Sequence, residues 1–412
     1  MAIPSASEKY ALVLNSGSSS IKYGVFELKK ENEVNAKSVL SGQVEKIGKS
    51  VEGGQLFTVK NEETGKKDIK KVEASDHAAA LECIATVLKE KGFESGMDVV
   101  GHRVVHGGAD FSEPALVNEK TLACIEKNVP LAPLHNPPAL LGLRSAMTKF
   151  SSCPHVAVFD TAFHASMPPE SFTYAIPYQL YEKYSIRRYG FHGTSYAYVS
   201  QQVIKSYPNI RSMIICHLGN GASMCCIKDG KCLDTTMGLT PLDGLMMGTR
   251  SGDIDAGLHI FLHRELGKSP AEIDTILNKQ SGLIGLSGIS SDMREVLAAA
   301  ESGNARAILA RKVYIERIRK YLGAYLIKLR GKCGAIVFTA GVGENDSDLR
   351  AQVCSGLETF GISLDSSRNY AKSDSILHDI GSATSVLKIL VAATNEEQAI
   401  ALHSASLANL FL

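Results

Sequence analysis

The sequence of 412 residues lacks a charge imbalance, a long apolar run and an apolar core near residue 1, and each absence argues against a class of protein. Its 44 basic and 43 acidic side chains leave a net charge of +1, so no charge pattern indicates binding to nucleic acid or to a membrane surface. No apolar run approaches the ~18 residues that cross a bilayer, and the polar N-terminal stretch lacks the apolar core of a signal peptide. The sequence therefore predicts a cytoplasmic protein with small-molecule partners and neither a nucleic-acid nor a membrane partner.

The nine cysteines show neither the spacing of a zinc site nor that of a disulfide framework. No two of them form a CxxC pair, and no ligand spacing fits a zinc site. Several lie in apolar, strand-like runs, and an odd count without a framework is typical of reduced thiols. We therefore expect free thiols and no zinc centre.

Two similar segments indicate that the chain has two related halves. Residues 11–26 form a predicted strand, a turn of Asn, Ser and Gly, and a returning strand, and residues 213–227 repeat this pattern. Because 412 residues exceed what one core usually serves, the repeat predicts two related α/β lobes facing a cleft. Apolar spacing predicts helices over 76–91, 255–266, 270–279 and 304–328, and a terminal helix over 395–411 that returns to the first lobe.

Three segments of small residues follow apolar strands, at 15–20, 217–223 and 341–345. Small residues let backbone N–H groups approach phosphate oxygens closely. None of the three is a Walker motif, and each alone is typical of a plain hairpin or a strand-to-helix turn. Three together, each with a spare Asn or Ser, favour binding of nucleotide phosphates.

Two arginines stand in glycine-flanked positions. Arg103 lies directly after a predicted strand, in Gly-His-Arg-Val-Val-His-Gly-Gly, and Arg250 lies in the loop Met-Gly-Thr-Arg-Ser-Gly-Asp. An arginine held beside glycines is well placed to bind oxyanions bidentately. The alternative is a structural salt bridge to Asp110 or to Asp253.

An aspartate and a histidine are further candidates. Asp160 follows the predicted strand 155–159, and the carboxyl end of a buried strand is where α/β folds place polar site residues. His192 lies between Phe191 and Gly193, where it could contact a transferring phosphoryl group; the alternative is a packed core histidine.

A few side chains could supply oxygen ligands for a hard metal ion. Mg²⁺ usually takes one or two protein oxygens together with water and phosphate oxygens. Asn15 and Glu396 are candidates, and Ser20 is a weaker one. By composition alone, Glu396 is also typical of an acid in the first turn of a helix.

An ordered set of motifs runs nearly from end to end of the chain. They are LNSGSSSIK at 14–22, GHRVVHGG at 101–108, PLHNP at 133–137, FDTAFH at 159–164, RYGFHGT at 188–194, HLGNG at 217–221, residues 234–257, FTAGVGEN at 338–345 and TNEE at 394–397. On these motifs the chain resembles the acetokinase family, within the superfamily of acetate and sugar kinases, Hsp70 and actin.

The resemblance implies a fold and a role for each matching residue. It implies two actin-like, ribonuclease-H-like α/β lobes flanking an ATP cleft, with residues 1–161 and 395–412 in one and 162–394 in the other. The implied catalytic residues are Asp160, His192 and Arg250, and the implied Mg²⁺ ligands, with Mn²⁺ as an alternative ion, are Asn15 and Glu396. Arg103 would bind a substrate carboxylate, and Val105, Leu134, Phe191 and Pro241 would line a methyl pocket. The implied contacts to ATP or ADP are Lys22, His217, Leu218, Gly219, Asn220, Gly221, Asp292, Met293, Arg294, Gly341, Val342, Gly343, Glu344 and Asn345.

The implied activity is reversible phosphoryl transfer from ATP to acetate by a homodimer. A carboxylate with a pKa near ~4.3 is already ionised at neutral pH and needs no general base, so we expect cations to supply the catalysis. Propionate or butyrate as acceptor, phosphate or pyrophosphate as donor, and an actin- or Hsp70-like ATPase that binds a protein partner are the alternatives. We expect Val105 to restrict the methyl pocket.

The chain departs from the family pattern at two places. Met293 stands where many members carry an aromatic residue, so weaker stacking on adenine is expected. Ala165 and Ser166 stand where Gln and Thr are commoner.

Overall fold

A computed structural model describes residues 8–31, 33–49, 51–93 and 96–411. The chain forms two compact units, one of Met1–Phe163 with Asn395–Leu412 and one of His164–Thr394. The boundary lies after Phe163, whereas the sequence placed it after residue 161. Within the described residues, no helix has both the length and the apolar character needed to cross a membrane.

Fifteen α-helices are assigned in the described residues. In chain order they are α1 His77–Glu90, α2 Glu119–Lys127, α3 Asn136–Lys149, α4 Pro169–Phe172, α5 Tyr178–Tyr184, α6 Gly193–Ser206, α7 Gly257–Arg264, α8 Pro270–Lys279, α9 Gly282–Ser287, α10 Met293–Glu301, α11 Ala305–Lys328, α12 Ala340–Asn345, α13 Ser347–Cys354, α14 Ser366–Tyr370 and α15 Glu396–Leu407. The helices predicted from apolar spacing are all present, and two of them show clear capping at their first residues. Asp76 accepts a hydrogen bond from the N–H of Ala79 at the start of α1, and Ser269 and Glu272 form a capping box on α8.

The first unit contains a mixed sheet. Its strands are β1 Lys9–Ser16, β2 Ser20–Lys30, β3 Val34–Glu45, β4 Gln55–Asn61, β5 Lys67–Val72, β6 Val99–Val104, β7 Ala115–Leu116 and β8 His155–Phe159. Their order is β5-β4-β3-β2-β1-β6-β8-β7. Strands β1 to β5 form an antiparallel meander, and β1, β6 and β8 run parallel.

Strand β1 is buried on both faces, which explains its nearly continuous apolar sequence. Leu12 and Leu14 pack in a core with Ile84 of α1, while Val13 packs on the other face with Ile400 of α15. The C-terminal helix thus covers the sheet that the N-terminal strand begins.

The second unit contains a smaller sheet. Its strands are β9 Met213–Leu218, β10 Ala222–Lys228, β11 Lys231–Thr235, β12 Ala335–Thr339, β13 Leu377–Asp379 and β14 Lys388–Ala392. Their order is β11-β10-β9-β12-β14-β13, with β9, β12 and β14 parallel and β9 to β11 antiparallel. The series β3-β2-β1-β6-β8 of the first unit has the same order and directions as β11-β10-β9-β12-β14. The predicted pair of related α/β lobes is therefore confirmed.

The two predicted small-residue turns are shorter than the sequence indicated. Asn15 and Ser16 already pair with Lys22 and Ile21, so the turn between β1 and β2 contains only residues 17–19. In the second unit Leu218 pairs with Ala222, which leaves residues 219–221 in the hairpin. Strand pairing therefore overrides the turn preference of Asn and Ser at these positions.

Candidate active site

A bidentate ion pair lies in the first unit, where β6 and β8 run side by side. Arg103 belongs to β6 rather than following it, because its neighbours pair with β8 as far as Val104 and Phe159. Its Nε and Nη2 atoms donate to the two carboxylate oxygens of Asp160 at 3.0 and 2.7 Å. Asp160 directly follows β8, as predicted, and is only 1% exposed.

Burial and neighbouring charges act in opposite directions on the pKa values of Arg103 and Asp160. Burial alone would lower the pKa of Arg103, but the charges of Asp160 and Glu396 raise it above the ordinary value. Burial raises the pKa of Asp160, and the adjacent Arg103 opposes that effect. The carboxylate of Glu396 lies 3.9 Å from Nε of Arg103. Arg103 therefore pairs with Asp160 and Glu396, and not with Asp110, the structural partner considered from the sequence.

The predicted metal ligands lie in the first unit as well. Glu396 is the first residue of α15, behind the N-cap Asn395, and its side chain is partly exposed. Glu396 is thus an acid in the first turn of a helix, which is one of the two roles considered from the sequence. Asn15 lies in β1 directly opposite Lys22 of β2.

Two histidines of the second unit stack on each other. The rings of His192 and His217 lie 4.1 Å apart at 21°. His192 Nδ1 lies 2.8 Å from Oγ of Ser223, and His217 Nδ1 lies 2.8 Å from Oγ of Ser195. His192 has a positive φ of 58° at the start of α6, a conformation that non-glycine residues rarely adopt. His192 is therefore positioned both by α6, which it precedes, and by the hairpin of β9 and β10.

Arg250 lies against the hairpin between β9 and β10. A Cβ added at Gly221 would be 2.6 Å from Nη2 of Arg250 and 3.5 Å from Nε2 of His192, so a larger residue would displace this guanidinium. Nη1 of Arg250 donates to the carbonyl oxygen of Pro241 at 2.6 Å. Burial lowers the pKa of Arg250 to about 10, which still leaves it charged at neutral pH.

A cavity of about 910 Å³ opens beside the same hairpin, entirely within the second unit. Its size falls in the range of small-ligand sites. Eight predicted nucleotide contacts line it: Gly219, Asn220, Asp292, Met293, Arg294, Gly341, Val342 and Asn345. The structure therefore gathers at one place segments that lie more than 100 residues apart in sequence.

Asp292 and Arg294 form one side of this cavity. Asp292 caps α10 by accepting from the N–H of Arg294, and Arg294 Nε donates to it at 3.0 Å. These hydrogen bonds from Arg294 lower the pKa of Asp292 to about 2. The guanidinium itself is largely exposed.

The other predicted nucleotide residues do not line the cavity. They are Lys22, His217, Leu218, Gly221, Gly343 and Glu344. Lys22 belongs to the first unit, and Leu218 is fully buried.

The segment 341–345 is a short helix, α12, and not the loop that the sequence suggested. Glu344 accepts from the N–H groups of Ala340 and Thr394 at 2.9 and 3.2 Å, so it fixes the turn into α12. Arg350 donates to the carbonyl oxygens of Gly343 and Glu344 at the end of the helix.

The sequence missed several residues that line the cavity. They are Leu283, Ser291, Leu297, Asp346, Ser347, Asp348 and Tyr370. Tyr370 is 56% exposed, and its hydroxyl donates to Asp348 at 3.3 Å. No motif surrounds Tyr370, and only the packing of α14 near α13 brings it to this place.

The four residues predicted for a methyl pocket are divided between the units. Val105 and Leu134 belong to the first, where Leu134 is 51% exposed. Phe191 and Pro241 belong to the second, where Phe191 is buried and the Pro241 carbonyl accepts from Arg250.

The common strand order of the two α/β units defines the actin-like class of two-lobed folds. Within this class, the model of the acetokinase family matches residues 10–402. The chain belongs to the acetokinase family.

Relatives and solved structures agree with this membership. The chain is 48% identical to the acetate kinase of Bacteroides thetaiotaomicron over 95% of this chain and 97% of that protein. The crystal structure of Porphyromonas gingivalis acetate kinase matches with a TM-score of 0.89 at 40% identity, covering 97% of this chain and 99% of that one. A propionate kinase from Francisella tularensis matches with the same score, identity and coverage.

Proposed function

We propose that this protein transfers the γ-phosphoryl group of ATP reversibly to the carboxylate of acetate, giving ADP and acetyl phosphate. A carboxylate oxygen forms the new bond to phosphorus, and the bond to the oxygen bridging the β- and γ-phosphorus atoms breaks, so that ADP leaves. The similarity to acetate kinases over nearly the whole chain supports this reaction.

The observation that carries the proposal is the position of Arg250 and His192 at the hairpin 219–221, which also lines the cavity. The cavity would hold the nucleoside, and the backbone N–H groups of the hairpin would bind its phosphates. Arg250 and His192 would then lie where negative charge develops on the transferring group. In comparable phosphoryl transfers an arginine at this place is worth roughly 10³–10⁵ in rate.

The role of Asp160 follows from its hydrogen bonds. Both of its oxygens accept from Arg103, so the carboxylate orients the guanidinium. An ionised substrate carboxylate has no proton to give up, which leaves no task for a general base. We therefore assign Asp160 as a group that positions Arg103, and Arg103 as the group that binds the acceptor.

The proposal includes a Mg²⁺ ion that binds the nucleotide phosphates. Asn15 and Glu396 offer one amide and one carboxylate oxygen, which fits an ion that keeps several waters and takes few protein ligands. The side chain of Glu396 is partly exposed and can reach such a hydrated ion. The ion would neutralise phosphate charge, with Mn²⁺ as a second ion of similar chemistry.

Propionate is the second candidate acceptor, because the solved propionate kinase matches this chain as well as the solved acetate kinase does. One methylene in an apolar pocket is worth about 1–3 kcal/mol, so the preference is expected to be moderate. Comparing kcat/KM for acetate, propionate and butyrate decides between them.

The proposal is tested by trapping the acyl phosphate with hydroxylamine. ATP and acetate should give hydroxamate in proportion to ADP, and Arg250→Ala should lose most of kcat while keeping the same fold by circular dichroism. ATP hydrolysis that does not depend on any carboxylate would instead favour an ATPase of the actin or Hsp70 type. The same assay with phosphate or pyrophosphate in place of ATP tests the donor.

The homodimer stays a prediction from the family resemblance, and the cytoplasmic location stays a prediction from the sequence. Sedimentation of the purified protein tests the dimer.

A further inference from the structure

A histidine and two cysteines meet in the interior of the second unit, away from the cavity described above. His164, Cys225 and Cys232 are each at most 2% exposed. One ligand atom from each, the Nδ1 of the histidine and the two Sγ atoms, lies within 4.8 Å of the others. Nδ1 of His164 is 3.1 Å from Sγ of Cys232, and the two sulfurs are 3.5 Å apart.

The orientation of the histidine suits a metal ligand. Its Nε2 lies 2.9 Å from the carbonyl oxygen of Phe191, which can only accept a hydrogen bond, so Nε2 carries the proton and Nδ1 faces the sulfurs. Histidines that bind metals commonly donate their second ring nitrogen to a carbonyl in this manner. Gly190 leaves room for the ring, because a Cβ there would be 2.8 Å from the imidazole.

We propose that His164, Cys225 and Cys232 form a buried structural site for a divalent thiophilic ion, namely Zn²⁺. Binding displaces two protons in total to water and leaves two thiolates and a neutral imidazole around the ion. The centre is then electrically neutral, which suits a buried site because an uncompensated charge there is costly. A monovalent soft ion would leave a net negative charge at the same place.

The distances require little rearrangement. Tetrahedral zinc with ordinary bond lengths places two sulfurs about 3.8 Å apart and a sulfur and a nitrogen about 3.5 Å apart. The sulfur of Cys232 lies slightly closer than this to the sulfur of Cys225 and to Nδ1 of His164, and all three ligand atoms lie within 4.8 Å of one another. The carbonyl oxygen of Asp234, 3.6 Å from Sγ of Cys232, is one candidate for the fourth ligand, and a water is another.

A disulfide fits the same cysteines less well. Cys225 pairs with Thr235, and Cys232 pairs with Ile227 beyond a bulge, so the two cysteines are diagonal neighbours, two residues apart along β10 and three along β11. Diagonal pairs have Cα atoms about 7–8 Å apart, beyond the reach of an unstrained disulfide. The ligands come from three separate segments, which is why the spacing of cysteines in the sequence predicted no zinc site.

The test uses the full chain without an affinity tag, expressed in zinc-supplemented medium and desalted in the presence of a weak chelator. We expect one zinc ion per chain by elemental analysis and none in the variant C225A/C232A. The matched control is C216A/C226A, which changes two other buried cysteines of β9 and β10 and should keep its zinc. Zinc-free wild-type protein, or equal zinc in C225A/C232A, would overturn the proposal.

Cobalt gives a second readout that does not depend on any variant folding well. Wild-type protein stripped with a strong chelator and loaded with Co²⁺ should show thiolate-to-metal charge-transfer bands and the visible bands of a tetrahedral ion. It should also unfold at a higher temperature with the metal than without it. Octahedral cobalt without charge-transfer bands would contradict cysteine ligation, and a disulfide between Cys225 and Cys232 in the native protein, seen by mass spectrometry, would also contradict it.

Discussion

At the scale of single residues, the Arg103–Asp160 pair combines a structural task with a proposed catalytic one. Asp160 is nearly inaccessible to water, so its charge depends on the two hydrogen bonds from Arg103. Breaking a buried pair by removing one partner costs more than removing both, because the remaining charge stays buried.

Arg103→Ala is therefore expected to lower the free energy of unfolding by about 3–5 kcal/mol. The double variant Arg103→Ala/Asp160→Ala should be more stable than Arg103→Ala alone. Urea denaturation of the wild type, Arg103→Ala, Asp160→Ala and the double variant gives the coupling energy of the pair. Equal stability of Arg103→Ala and the wild type would show that Asp160 is not held by this pair.

The structure suggests a role for Tyr370 that the sequence did not predict, namely stacking on the adenine base. Met293, where the family resemblance implies an aromatic residue, lines the cavity, and Tyr370 offers an aromatic ring at the same cavity. Tyr370→Ala should weaken ADP binding by about 1–3 kcal/mol, the usual value of base stacking. Calorimetric titration checks this, with Tyr370→Phe as the control that keeps the ring; ADP affinity unchanged in Tyr370→Ala would exclude stacking.

At the scale of elements, the hairpin between β9 and β10 links the cavity to Arg250 and His192. Gly221→Ala would add a Cβ 2.6 Å from the end of the Arg250 side chain, which can move without disturbing the backbone. We expect kcat to fall while the melting temperature changes little.

Gly323→Ala is the control for this substitution, because a Cβ at Gly323 in α11 meets no atom within 4 Å. It should keep the wild-type kcat. A Gly221→Ala variant with wild-type kcat would mean that the position of Arg250 is unimportant for turnover.

The elements also show what local sequence can and cannot predict. Helices α1 and α8 were predictable because their caps and apolar spacing lie in consecutive residues. Helix α12 was not, because Gly341 and Gly343 favour a turn, and some of the contacts that hold the helix come from residues outside it. Arg350 and the N–H of Thr394 supply those contacts.

At the scale of the whole molecule, the repeated strand order was foreseeable from the repeated strand–turn–strand segments. The assembly of the cavity was only partly foreseeable. Its glycine and Asp-Met-Arg segments belong to recognisable motifs, whereas Leu283, Leu297 and Tyr370 reach it through tertiary packing alone. The catalytic roles of His192, Arg250 and Arg103 stay predictions.

The division into two units predicts which substitutions affect which substrate. All residues lining the cavity belong to the second unit, whereas Arg103 belongs to the first. Arg103→Lys should therefore raise the KM for acetate and leave the Kd for ADP unchanged, which steady-state kinetics and calorimetry can measure. A matching loss of ADP affinity would show that the two substrates do not bind independently.

The central claim is transfer of the γ-phosphoryl group of ATP to a carboxylate oxygen, and an isotope experiment tests it most directly. The protein is given ATP and acetate labelled with ¹⁸O in both oxygens, and the products are followed by ³¹P NMR. The account predicts acetyl phosphate with one ¹⁸O bonded to phosphorus, together with unlabelled ADP. Formation of AMP and pyrophosphate, or ADP without labelled acetyl phosphate, would contradict it.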